Sequence, residues 1–153
     1  MIKSIVLLSC LLVIIHFSSA QNSFEKVYGG ALPEVFRSVL ETSDGSLLAG
    51  GSTRSFGSGD IFNTDFYLVK TKANGDTLWT RAFGTTYNDD ATAVAEFANG
   101  YVIAGTSINP ANGSNDFFVV KTDKNGNIEH EAHGNPLKRP IDLSITKNVF
   151  MMI

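Results

Sequence analysis

Apolar residues come in short runs separated by polar, glycine-bearing pairs. Residues 66–71 and 78–83 are two such runs, built largely from β-branched and aromatic side chains, the composition that favours strands. The separators are Asp44-Gly45, Asn74-Gly75, Asn99-Gly100 and Asn125-Gly126. Such pairs supply the positive φ that tight or bulged hairpin turns require. The pattern predicts short antiparallel strands joined as hairpins. Within it, "FYLV" at 66–69 and "FFVV" at 117–120 are apolar at every position. Successive side chains of a strand point to opposite faces, so these strands are expected to be covered on both.

The pattern repeats. "DFYLVKTKANG" from Asp65 and "DFFVVKTDKNG" from Asp116 lie 51 positions apart and agree at seven of eleven residues. Upstream, at a shift of 55, Val39, Glu41, Gly45, Ala49, Gly50 and Ser52 recur as Val94, Glu96, Gly100, Ala104, Gly105 and Ser107, and Leu47-Leu48 become Val102-Ile103. The difference between the shifts is a shorter loop in the second copy. A third copy begins at His133-Gly134, in the place of Phe83-Gly84 and Tyr28-Gly29, and then degrades. Pro136 and Pro140 intrude, and Val149 replaces the turn glycine. Each repeat is expected to be four antiparallel strands over about fifty residues, a period typical of propeller blades. The fold class is therefore all-β: a partial β-propeller of two blades plus part of a third, with repeats at about 24–79, 80–130 and, incomplete, 131–153. An open solenoid or a small two-sheet sandwich is the competing architecture.

Those phrases carry a resemblance. The Asp65–Thr71 strand, the Asn74-Gly75 turn, Trp79, the Phe83-Gly84 corner and the strand end Ala104–Ser107 are together similar to the propeller-like repeats of secreted bacterial proteins, especially from Bacteroidetes. The resemblance covers nearly all of 24–135. It implies an exported location and a propeller architecture more than any activity.

Residues 1–20 form a separate unit. Lys3 precedes an apolar run over 5–17, and Ser18-Ser19-Ala20 follows. This is the form of a secretory signal peptide, with cleavage expected before Gln21. The run is short for a membrane span, so no span is expected after cleavage. Cys10, the single cysteine, and His16 fall inside the run, and Cys10 reads as a small hydrophobe there. The mature chain then lacks thiols and disulfides and depends on packing alone. Its net charge moves from −3 to −4 with the loss of Lys3. An acidic chain lacks the basic field of a nucleic-acid binder.

Few residues suggest chemistry. His130 and His133 are three apart; on a strand their rings diverge, so they read as framework positions in the places of Trp79 and Phe83. Asp123 to Asn127 hints at a calcium loop but lacks its distant glutamate, and a hairpin turn explains it. Asp89-Asp90 is the one adjacent acidic pair; a solvated loop or a side-chain bond to local backbone is expected. Asn112 opens a formal glycosylation sequon. No nucleophile triad, phosphate loop or cofactor motif is present. Catalytic, cofactor and metal residues are accordingly expected to be none.

The expected function is a non-enzymatic secreted or cell-surface module. Loops 52–64 and 108–115 would present a binding face to a protein or glycan. A remnant of a glycan-cleaving propeller enzyme, its catalytic residues missing, is the alternative. Propellers close with at least four blades. An uncovered blade face of roughly 500 Å² would forgo about 12 kcal/mol of burial. Self-association, missing blades or a longer parent chain is therefore expected.

Overall fold

The computed structural model describes residues 23–58 and 61–134. The expected signal peptide with Cys10 and His16, and the third copy beyond Gly134, lie outside the described residues. Eight strands follow one another: β1 (Glu34–Glu41), β2 (Leu47–Thr53), β3 (Asp65–Thr71), β4 (Thr77–Phe83), β5 (Asp89–Phe97), β6 (Gly100–Ile108), β7 (Asn115–Asp123) and β8 (Ile128–Gly134). They form two antiparallel four-stranded sheets, ordered β1-β2-β3-β4 and β5-β6-β7-β8. Among the described residues there is no helix, so the all-β expectation holds.

Three of the four expected turn glycines, Gly45, Gly75 and Gly126, have positive φ. The fourth differs. Gly100 opens β6 and pairs with Phe97 across a two-residue loop. A Cβ there would run into the Thr122 carbonyl of the neighbouring strand. Gly100 is thus required by close backbone approach, not by turn conformation.

The sheets pack face to face. Leu48, Phe66, Leu68 and Phe83 from the first meet Ala91, Tyr101, Ile103, Phe118 and Val120 from the second. Strand β5 lies across β1, β2 and β3. The Phe66 and Phe118 rings touch at 4.7 Å between centroids. Trp79 packs on Tyr101 at 6.0 Å. The Tyr101 ring also lies 5.4 Å from the Lys70 ammonium and 5.1 Å from that of Lys124, which places cations near an aromatic ring.

Register decides how the two copies of the repeat correspond. Thr71 pairs with Thr77, and Thr122 with Ile128; each junction carries a bulge. Leu47 faces Thr71, whereas Tyr101 faces Thr122. Leu47 therefore corresponds to Tyr101 and Leu48 to Val102, one residue away from the sequence match. The turn after β1 is one residue longer than the turn after β5: Glu41 pairs with Leu47, and Glu96 with Tyr101. Sequence identity absorbed that residue in the wrong place. A one-residue slip in a strand exchanges faces. Likewise Phe118 pairs with His133 and Tyr67 with Ala82. His133 thus takes the place of Ala82, not that of Phe83.

With the register set, Phe66 corresponds to Phe117 and Leu68 to Val119. Phe66 and Leu68 belong to the contact between the sheets; Phe117 and Val119 do not, and their neighbours Phe118 and Val120 do. The second sheet therefore follows the first head to tail. A two-fold sandwich would instead present the same residues of both copies to each other.

The far face of the first sheet is less open than the sequence suggested. Tyr67 and Val69 on that face are buried. Phe36 stacks on Tyr67 at 5.7 Å and Phe56 approaches it at 5.5 Å. Phe24 and Tyr28, from the segment before β1, line a cleft with Val39, Leu47, Ala49 and Val69. Val39 remains 67% exposed.

Glu96 ties the sheets together at the turn end. It accepts hydrogen bonds from Ser43 N at 2.7 Å and Ser43 Oγ at 2.8 Å in the first sheet's turn. It also pairs with Lys124 of its own sheet. Burial pushes the Glu96 carboxyl up, but the bonds from Lys124 and Ser43 outweigh it and hold the group below its ordinary value of 4.5. Its contribution is therefore present above that value and lost as pH falls through the lowered one. Glu96→Gln is expected to cost about 1 kcal/mol at neutral pH and to flatten the acid limb of stability. Urea melts at pH 7 and pH 4 measure both effects.

Candidate functional site

The loops gather at the end of the stack opposite Glu96. They comprise the β2–β3 connection, the β4–β5 connection and the β6–β7 connection. The first and third are the connections the sequence expected at 52–64 and 108–115.

Two carboxylates anchor these loops. Asp65 is 2% exposed and Asp116 is 7% exposed. Asp65 Oδ2 accepts from Ser58 N at 3.1 Å. Asp116 accepts from Asn109 Nδ2 at 2.7 Å and Ser114 Oγ at 3.1 Å. These aspartates open the two copies of the repeated phrase. Their burial is repaid by hydrogen bonds from the loop each one follows. The signal was visible, because Asp stands at the same position in both copies, but strand and turn alone do not explain it.

Two clefts of about 390 Å³ each flank the β4–β5 connection. One is lined by Thr85, Tyr87, Ser107, Asn109, Asp116 and His133. Tyr87 and the His133 ring, which stacks on Phe118 at 3.9 Å, give it aromatic surface. The other is lined by Arg37, Arg54, Thr64, Asn88 and Asp90. Arg37 and Arg54 come from different strands and loops, so sequence spacing gave no sign of their proximity.

The remaining candidates resolve individually. His130 pairs with Lys121 and His133 with Phe118, which puts the two rings on opposite faces. Asp123 accepts from Asn125 N at 2.8 Å, Asn127 N at 2.9 Å and Asn127 Nδ2 at 2.9 Å. The bonds from Asn127, then Asn125, lower its carboxyl pKa. The hairpin turn thus consumes the carboxylate a calcium loop would need. Asn112 is exposed, and its Oδ1 accepts from Ser114 N and Oγ at 3.0 and 2.7 Å. Asp90 is half-buried and receives the Thr64 hydroxyl at 3.4 Å. Asp89 is fully buried, and its Oδ2 accepts from Thr85 N at 2.5 Å and Thr85 Oγ1 at 3.0 Å. The local backbone bond expected for the pair is made by Asp89. Glu34, at the same place in the first sheet, accepts from Gly30 N at 3.3 Å.

Fold and site together define an all-β protein of two face-packed four-stranded sheets with clefts at one loop end. No protein-family model matches the chain, and no curated protein matches it. Among the described residues no helix is long and apolar enough to cross a membrane.

Proposed function

We propose that this chain is a secreted or cell-surface module of β-propeller type, non-enzymatic, which binds a protein or glycan through its loop end. The observation that carries the reading is the head-to-tail relation of the two sheets. A heterologous contact of that kind leaves a different surface open at each end, and each matches the other. Further sheets, from other copies or from additional repeats, extend such a stack.

Three details support the same reading. Phe24 corresponds to Trp79 and Tyr28 to Phe83 at the shift of 55. Phe24 lies over Gly75 as Trp79 lies over Gly126. Lys26 bonds Asp76 at 2.9 Å, and Arg81 bonds Asn125 O at 3.0 Å. The segment before β1 therefore rests on the first sheet as β4 rests on the second. It occupies the place of the outermost strand of a preceding sheet. Glu41 corresponds to Glu96, which grips the turn of the sheet before it. The Glu41 side chain is exposed and makes no hydrogen bond or ion pair among the described residues, as a residue reaching towards a further sheet would be. The aromatic rings of Tyr87 and His133 suit stacking on a sugar face or an apolar side chain.

Sedimentation velocity across a concentration series tests the stacking. Association that rises with concentration is expected, weakened about tenfold or more by Val39→Glu on the far face, where a buried charge is costly. A monodisperse monomer with a sharp melting transition would count against it. Glycan-array binding that disappears with Tyr87→Ala is the corresponding expectation for the loop end.

A further inference from the structure

Oxygen atoms of both sheets converge at the loop end, and one of them, on Asp89, is left without a hydrogen-bond partner. A Cβ added at Gly84 would run into both Asp65 Oδ1 and Asp89 Oδ2, so the two carboxylates share the space beside that glycine. The two carboxylates come from different sheets and are 2% and 0% exposed. Ser58 Oγ sits among the same atoms. It lies 3.0 Å from Thr85 O, 3.1 Å from Gly84 O and 3.4 Å from Asp65 Oδ1. A serine hydroxyl has one proton to donate, so it serves one of these three acceptors. The second carboxylate oxygen of Asp89, Oδ1, is buried with no hydrogen-bond partner. Among the described residues no cationic side chain is ion-paired to Asp89.

A buried carboxylate with an unpartnered oxygen is costly unless a positive charge meets it. We propose that Asp65 and Asp89, with the Ser58 hydroxyl and the carbonyls of Gly84 and Thr85, form a site for a hard divalent cation of the calcium class. The donor chemistry selects it. Every donor is oxygen, which suits calcium or magnesium and not zinc. The mixture of carboxylates, carbonyls and a hydroxyl fits the irregular, larger shell of calcium better than the octahedron of magnesium, which keeps much of its water. The site differs from the Asp123 turn, whose carboxylate is already consumed. Asp116, which corresponds to Asp65, accepts from Asn109 and Ser114 of its own loop. A bound cation would clamp the β2–β3 loop of the first sheet to the start of β5 in the second. It would set the rigidity of the loop face and of the joint between the sheets.

Thermal melting of the purified chain tests this, in EDTA against about 5 mM calcium, a concentration above the Kd range of weak extracellular sites. A rise in Tm of roughly 5–10 °C is expected near saturation, with a smaller rise in magnesium. Asp89→Asn is expected to abolish the calcium response, and Asp123→Asn to leave it intact. Should Asp89→Asn fail to fold, Ser58→Ala is expected to move the calcium midpoint up by about fivefold or more. No calcium response in the unaltered chain overturns the site. So does a response that Asp89→Asn retains, or a calcium midpoint unmoved by Ser58→Ala. Stabilisation on acidification to about pH 5 without any calcium response would assign a shared proton instead and equally overturn it.

Discussion

Phe118→Ala is expected to remove a large share of the stability of the chain, at a cost of roughly 3–5 kcal/mol. The side chain is 1% exposed. One side of its ring meets Phe66 at 4.7 Å, and His133 stacks on it at 3.9 Å with the planes 16° apart. Truncation therefore opens a void between the sheets, at the contact that holds them together. Domains of this size have on the order of 5–15 kcal/mol in total, so a lowered urea midpoint, or outright unfolding, is the readout. The informative comparison is with two other phenylalanines. Phe66 and Phe117 hold the same place in the repeated phrase. Phe66→Ala is expected to cost about as much as Phe118→Ala. Phe117→Ala, at a half-buried position on the other face, is expected to cost about 1–2 kcal/mol. Equal costs for Phe66 and Phe117 would contradict the head-to-tail arrangement.

Asp44→Asn carries the second large effect, through Lys70. The Lys70 side chain is 6% exposed, and its ammonium meets Asp44 at 2.6 Å. Burial is the largest influence on the Lys70 charge and opposes it, yet Asp44 and the neighbouring Tyr101 together outweigh it and raise the ammonium pKa. The Lys70 bond, then that of Thr42, holds the Asp44 carboxyl far below its ordinary value of 3.8. Replacing the carboxylate with an amide leaves a nearly buried ammonium without its counter-charge, at a cost of about 1–3 kcal/mol. The pH dependence has a definite sign. The folded pKa of Asp44 is depressed, so its contribution is complete above the unfolded value and lost as pH falls through the folded one. The unaltered chain should lose stability below about pH 4, and Asp44→Asn should lose less there from a lower starting point. Melting curves from pH 7 to pH 2 test both. Lys70→Met with Asp44→Asn should recover part of the loss, because no buried charge then remains.

The strands were legible because strand periodicity and turn chemistry are local. The runs at 66–71 and 78–83 became β3 and β4, and Asp44-Gly45, Asn74-Gly75 and Asn125-Gly126 became turns. Gly100 was misjudged because glycine serves two needs that look alike in sequence: positive φ, and the absence of a Cβ near a neighbouring backbone. The correspondence of Leu48 with Ile103 failed for a related reason. Identity counts do not know which residue of a turn is extra, and a single residue exchanges the faces of a strand. His133 was misplaced in the same way, since the Gly134 corner drew the alignment one position off.

The candidate site was less legible. Asp65 and Asp116 announced themselves by repetition, but burial and loop anchoring are properties of the fold. Arg37 and Arg54 meet only because β1 and the residue after β2 share one end of a sheet. Asp65 and Asp89 meet only because the second sheet packs on the first.

By itself the amino-acid sequence determined the strand class, the hairpin turns and the internal repetition, because each is written within a few neighbouring residues. The tertiary structure decided which face of each strand meets the other sheet, in which sense the sheets stack, and which carboxylates become neighbours. Those depend on register and on packing between segments far apart in the chain, and neither is encoded at any one position.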